Sequence, residues 1–179
     1  MKPMTRRPTT EAEVEDYQAR ARDFSHQRRY TEALEICDWL IDDPATRLAG
    51  LRQRAAVKEL QGDLRAAIND LSAVIETFAM EPADFHSLGL LQLEAGDTRE
   101  AIISLSRAIE TGDAAGSTYY RNSSLFFRAF ARLKIDELAA ATKDCELLPA
   151  GYQTHISGEG IVSREALLDQ AKRRAHHGS

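Results

Sequence analysis

The side chains most able to do chemistry in this sequence are scattered along the chain. No two histidines are four residues apart, and none has a carboxylate at metal-ligand spacing. His155 and Ser157 could pair as base and nucleophile, but no third residue completes them, and no lysine follows the glycines of SGEG at 157–160. The sequence therefore predicts a protein that is not an enzyme and holds no metal or cofactor. The five histidines are His26, His86, His155, His176 and His177.

The two cysteines, Cys37 and Cys145, are too few for a disulfide framework and lack metal-ligand spacing. A net charge of −5 argues against a nucleic-acid partner, which needs a clustered basic surface. No run of about 18 apolar residues is present, and the first sixteen residues lack the apolar centre of a secretory signal. We therefore expect a cytoplasmic protein with no membrane partner.

The elements that position these side chains are repeated. GDLRAAINDLSAVIE begins at Gly62 and GDTREAIISLSRAIE at Gly96, 34 residues later, and the two agree at nine of fifteen positions. A step of 34 back from Gly62 reaches Arg28, which opens the related RRYTEALEICDWLID. A fourth copy, LFFRAFARLKIDELAAATKDCELLP, follows six extra residues near 114–124. These six residues either lengthen a flanking helix or form a protruding loop.

Apolar residues three, four and seven apart predict one buried helix face in each copy. A second helix precedes each, with a small residue at one fixed position, which is Ala21, Ala55, Gly89 or Ala129. Gly-Asp pairs separate the helices in the second and third copies, as expected where a helix ends in a left-handed residue. The chain is thus predicted to be a series of helical pairs.

This pattern resembles the tetratricopeptide repeat (TPR) family, whose unit is a 34-residue helical hairpin. The resemblance covers about residues 11–149 and implies an all-α fold, a right-handed α-α superhelix (solenoid) of three to four hairpins. The implied division is a disordered segment at 1–10, repeats at about 14–47, 48–81, 82–121 and 122–149, an irregular or hairpin linker at 150–162, and a capping helix at 163–175. We leave open whether the closing HHGS is native.

The resemblance also implies a binding groove for a peptide or helix of another protein, lined by the first helix of each pair. The positions carried over are Gln18, Arg22, Arg52, Gln53, Ala56, His86, Leu90, Phe126 and Phe130. Arginines at one end suit a carboxylate, and the other end is aromatic. Alternatively, some of the phenylalanines pack against the C-terminal segment.

Ile36 and Trp39 form a second candidate surface, because the equivalent positions of the next two copies are mostly polar. An apolar pair there suits a homodimer or partner contact, unless the N-terminal segment covers it. The leading functional hypothesis is an adaptor or scaffold that binds a protein partner in the groove. The alternatives are a secretion-type TPR chaperone that holds a client, and a self-associating structural scaffold.

Overall fold

The computed structural model describes residues 8, 10–78 and 81–177, which form helices and one small β-hairpin. The predicted disordered segment 1–10 lies outside these residues except at positions 8 and 10, whereas the first two residues of the closing HHGS, 176 and 177, are described. In chain order the elements are α1 Glu11–His26, α2 Tyr30–Asp42, α3 Arg47–Gln61, α4 Leu64–Thr77, α5 Pro82–Glu94, α6 Thr98–Ala114, α7 Arg121–Lys134, α8 Leu138–Glu146, β1 Gln153–Ile156, β2 Gly160–Ser163 and α9 Arg164–His177. None of the helices among the described residues has the length and apolarity to cross a membrane.

The chain divides into two compact units, and unit 1 covers residues 1–79 with helices α1–α4. Each helix contacts the next, and α1 also contacts α3, as stacked helical pairs require. Small residues allow this packing: Ala21 and Ala33 are fully buried. A Cβ atom on Gly50 of α3 would lie 2.8 Å from the backbone nitrogen of Ile41 on α2. These two helices therefore approach too closely for any side chain at position 50.

Unit 2 covers residues 80–179 and contains α5–α9 and the hairpin. Consecutive helices again contact each other, and α5 contacts α7. A Cβ atom on Gly89 of α5 would lie 2.7 Å from Cγ of Leu105 on α6, so this pair also depends on a glycine. The core extends into the C-terminal segment, because Ile156, Leu167 and Ala171 pack with the buried residues of α7 and α8.

The six-residue insertion is partly helix and partly turn. The last helix of the preceding copy, α4, ends at Thr77, but its counterpart α6 continues three residues beyond the equivalent Thr111 to Ala114. Residues 115–120 then form the connection to α7, with Gly116 in a left-handed conformation (φ 66°). The two alternatives of the sequence analysis thus both hold in part.

The C-terminal segment forms the hairpin and then a helix. β1 and β2 are antiparallel, with Gln153 opposite Ser163. The Ser163 hydroxyl accepts a hydrogen bond from the backbone N–H of Ala166 (3.1 Å), which caps α9 as its position before the helix requires. α9 contacts α7 and α8, and Arg174 donates to the backbone oxygen of Leu133 (2.7 Å). The all-α helical repeat is therefore confirmed as the fold class, with this hairpin as its one departure among the described residues.

Candidate protein-interaction surface

In unit 1 the predicted groove residues lie on α1 and α3. Arg22 and Ala56 are exposed, while Gln18 and Arg52 are half-buried. Gln53 is buried, so its assignment to an accessible groove is corrected. The cause is local: Gln53 lies between Gly50 and Val57 in the buried pattern of α3, on the side that packs against other helices.

In unit 2 the predicted groove residues separate into a buried pair and a half-exposed pair. His86 and Phe126 are buried, so neither can contact a partner directly and both predictions are corrected. Leu90 and Phe130 keep part of their surface. One residue after the buried pair, Ser87 is exposed and Phe127 is half-buried. We call Ser87, Leu90, Phe127 and Phe130 the α5/α7 face, because they occupy equivalent positions of the two helices.

His86 joins α5 to the first turn of α7. Its Nδ1 lies 2.9 Å from Oγ of Ser124 and its Nε2 lies 3.3 Å from Oγ of Ser123. In the neutral imidazole one nitrogen donates and the other accepts, and a hydroxyl can serve either one. Burial lowers the pKa of His86 from 6.5 to about 4. At neutral pH this side chain is therefore an uncharged link between the two helices.

Six rings follow one another in contact across unit 2, and we call them the aromatic row. The order is Tyr119, Tyr120, His86, Phe127, Phe126 and Tyr152. Successive ring centroids are 4.8, 5.2, 6.3, 5.8 and 5.7 Å apart. Such offset or edge contacts are favourable for aromatic rings.

Two rings of the aromatic row are buried, and the accessible sides of the other four form a surface that we call its front. His86 and Phe126 are buried, whereas Tyr119 is 82% exposed. Tyr120, Phe127 and Tyr152 are half-buried. The contact between Phe126 and Tyr152 agrees with the alternative that a phenylalanine packs against the C-terminal segment. The front is therefore an aromatic surface that a rigid interior holds in place.

Lys134, the last residue of α7, lies beside the α5/α7 face. Its Nζ lies 4.9 Å from the ring centroid of Phe130, within the range of a cation–π contact. Phe130 and Phe127 are three residues apart and therefore neighbours on the helix surface. The α5/α7 face thus combines aromatic area with the positive charge of Lys134.

The second candidate surface does not exist as predicted, because Ile36 is fully buried. It belongs to the core of unit 1 with Tyr17 and Phe24 of α1. Trp39 is half-buried, and its ring lies 6.1 Å from that of Tyr17. Helix α1 covers both residues, so the homodimer surface assigned to Ile36 is withdrawn.

The position of Ile36 is an interior one in every copy. Its equivalents Asp70, Ser104 and Asp144 are also buried. Their polar character reflects pairing inside the protein: the Ser104 hydroxyl donates to the side-chain oxygen of Gln92 (2.7 Å), and both aspartates bind cations. The inference from polar side chains to an outward face was therefore wrong at this position.

The first aspartate forms an ion cluster that joins three helices of unit 1. Arg54 of α3 donates two hydrogen bonds to Asp70 of α4 (2.9 and 2.7 Å) and one to Asp38 of α2 (3.0 Å). Lys58 lies 2.9 Å from Asp70. Burial favours a higher pKa for the Asp70 carboxyl, but the hydrogen bonds from Arg54 and Lys58 outweigh it, so the pKa is lowered.

A matching ion cluster lies in unit 2. Arg128 of α7 donates two hydrogen bonds to Asp144 of α8 (3.0 and 2.7 Å) and one to Ser106 of α6 (2.9 Å). Arg132 donates a further bond to Asp144 (2.6 Å). The sequence carried the signal for both clusters: an arginine, a second cation four residues later, and an aspartate sixteen residues after the arginine.

Both cysteines are buried, and burial raises the pKa of Cys37 to about 12 and that of Cys145 to about 11. Neither is a thiolate at neutral pH, so both act as small apolar residues. Within the described residues, no group of three or more metal-ligating side chains comes together.

Solved structures with a similar fold are TPR proteins. The TPR-like repeats of a putative kinesin light chain from Podosopora anserina align with a TM-score of 0.68 at 15% identity, over 95% of this chain and 90% of that one. YrrB, a TPR protein with an unusual peptide-binding site, aligns with a TM-score of 0.60 at 15% identity, over 73% of this chain and 64% of that one. These similarities confirm the predicted fold.

No protein-family model matches the chain. Among curated proteins, subunit 2 of the ER membrane protein complex from Xenopus tropicalis is 26% identical over 111 residues. The match covers 62% of this chain and spans 35% of the relative's length. This relative belongs to a membrane-associated complex, which contradicts the predicted cytoplasmic localisation, and that prediction is withdrawn.

Proposed function

We propose that this chain, which has the TPR fold, is a non-catalytic protein-interaction module whose α5/α7 face binds a segment of a partner protein. The observation that carries the proposal is the arrangement of Phe127 and Phe130, which keep exposed area while buried rings hold the surface around them. Rigid aromatic side chains lose little entropy on binding and dominate the energetics of protein interfaces.

The comparisons support the same class of function. YrrB is described as having a peptide-binding site, and the Xenopus relative is one subunit of a complex. Both properties belong to those proteins, and for this chain they are part of the proposal. The polar residues on α1 and α3, Arg22 above all, are proposed as a separate contact of unit 1 for an acidic segment.

The proposal is tested by affinity capture with the Phe127→Ala, Phe130→Ala double variant. Ile103→Ala is the matched control, because Ile103 is an apolar residue of unit 2 that is 64% exposed on α6 and lies outside the α5/α7 face. We expect wild type and control to retain the same partner, identified by mass spectrometry, and the double variant to lose it. Circular dichroism and a thermal melt must show that all three chains are folded. Retention of the same partner by the folded double variant would overturn the proposal.

A further inference from the structure

The geometry points to a proline-rich segment in the polyproline II conformation as the occupant of the aromatic row. This inference rests on the proposed function and names the chemistry of the partner segment. Polyproline II is an extended helix of three residues per turn with no internal hydrogen bonds, and aromatic-lined surfaces are its usual receptors.

The shape of the row suits pyrrolidine rings. Adjacent aromatic planes are inclined by between 40° and 83°, so the rings do not stack flat on one another. The ring centroids of Tyr120 and Phe127 lie 5.2 and 6.3 Å from the centroid of the His86 ring. The distance between the Tyr120 and Phe127 rings therefore cannot exceed the sum of these two values. One turn of polyproline II advances about 9 Å, so two prolines one turn apart can reach both rings.

The hydrogen-bonding groups of the aromatic row also suit a polyproline II segment. Within the described part of the chain, no hydrogen bond engages the hydroxyls of Tyr119, Tyr120 and Tyr152. A polyproline II segment presents backbone carbonyls that have no internal partner, and each can accept from a phenol. A helical segment has already paired its carbonyls internally, and an added β-strand would pair with the edge of the β1–β2 hairpin and not with the rings on α5 and α7. Three phenol donors therefore favour an extended proline-rich occupant.

The charge near the row argues against a cationic side chain, which is the other common ligand of aromatic clusters. The guanidinium of Arg121, which follows Tyr120 directly, is paired with Asp113 (3.2 Å), so among the residues that the structure describes the unpaired positive charge beside the rings is that of Lys134 over Phe130. This charge repels a lysine or arginine of the partner but leaves a neutral proline unaffected. Preorganisation adds to the fit, because the row is fixed by the hydrogen bonds of His86, and a proline-rich chain is already ordered before it binds.

The test is a titration of the ¹⁵N-labelled full chain with the acetylated, amidated peptide of ten prolines. A ten-residue Gly-Ser peptide is the flexible control, and an alanine-rich peptide of about 20 residues, long enough to form a helix in water, is the helical one. We expect saturable backbone shifts confined to α5, the 115–130 segment and the region of Tyr152, from the proline peptide alone. Absence of these shifts, or equal shifts from either control peptide, would overturn the inference.

Variants localise the site. Phe127→Ala should weaken binding of the ten-proline peptide at least about tenfold, and Tyr119→Ala about threefold, because each removes ring area. Tyr119 is exposed, so its replacement leaves the fold intact even if Phe127→Ala destabilises it. Ile103→Ala should bind as wild type does. Unchanged affinity in Tyr119→Ala and in folded Phe127→Ala would contradict the inference.

The capture experiment decides the proposed function separately. If the α5/α7 double variant loses its partner while ten prolines fail to bind wild type, only the polyproline assignment fails. If the folded double variant keeps its partner, the proposed function fails with it.

Discussion

At the residue scale, His86 anchors the centre of the aromatic row to α5 and α7. Its two ring nitrogens reach Ser123 and Ser124, and its ring contacts Tyr120 and Phe127. Burial keeps it neutral, because a charged imidazole would lose its hydration without a carboxylate to compensate. One side chain thus links α5 to α7 and supports the rings on both sides.

The lowered pKa of His86 predicts a pH-dependent stability. The unfolded chain takes up a proton near pH 6.5, whereas the folded chain does so only near pH 4. The stabilising contribution is therefore complete above pH 6.5 and is lost as the pH falls towards 4. We expect the stability difference between wild type and His86→Gln to shrink by about 2 kcal/mol from pH 7 to pH 5, measured by urea unfolding. Parallel profiles of the two proteins would contradict this.

Sequence reasoning placed the candidate residues on the right helices but could not give their exposure. His86 and Phe126 occupy equivalent positions, and both turn inward because α7 and the C-terminal segment pack over them. Tyr119 and Tyr120 were not predicted as site residues, because they lie at the insertion and have no counterpart in the other copies of the repeat. Their proximity along the chain to Phe126 and Phe127 was the available signal.

At the scale of elements, the two ion clusters join the first and second helices of a pair. Asp144 is 2% exposed and binds both Arg128 and Arg132, so removal of its charge takes away the counterion that the two guanidinium groups share and leaves Arg132 with its longer contact to Glu137 (3.7 Å). Replacement of one member of a buried pair is more damaging than loss of an exposed one. The cluster is therefore a specific attachment between α7 and α8.

Asp144→Asn should destabilise the protein by about 2–4 kcal/mol in guanidinium chloride unfolding. This range allows for the partial exposure of the two arginines. The matched control is Asp169→Asn, which removes an exposed ion pair with Arg173 and should change stability by less than about 0.5 kcal/mol. A destabilisation by Asp144→Asn no larger than that of the control would refute the role assigned to the cluster.

The 34-residue period predicted the helical pairs and also the sites of the turns between them. Gly62 and Gly96 have positive φ, as their type suggests, but the equivalent Arg28 and Asp136 adopt the same left-handed conformation. Aspartate tolerates this conformation, but arginine rarely adopts it, so at Arg28 the repeat geometry imposes the turn against the preference of the residue. The sequence did not decide whether the insertion forms helix or loop. Gly112 near the end of α6 lies close to both Pro82 and Ser117, and tertiary contacts of this kind leave no local pattern in the sequence.

At the scale of the whole molecule, composition predicted the all-α class but misled on localisation. Net charge and the length of apolar runs describe one chain, whereas a subunit of a membrane complex can be held there by its partners. The cytoplasmic prediction is contradicted by the Xenopus relative, which is a subunit of the ER membrane protein complex. The repeated pattern is informative about the fold because packing of neighbouring helices requires it; it carries no information about where the protein acts.

Contact between the α5/α7 face and a partner can be detected by site-specific photo-crosslinking in native extract. A photoreactive phenylalanine replaces exposed Ser87 on this face or, as the control, exposed Ile103 on α6. We predict a discrete crosslinked product at position 87 that disappears when Phe127 and Phe130 are changed to alanine, and no such product at position 103. Crosslinking at 103 alone, or a product at 87 that persists in the folded alanine variant, would contradict the account.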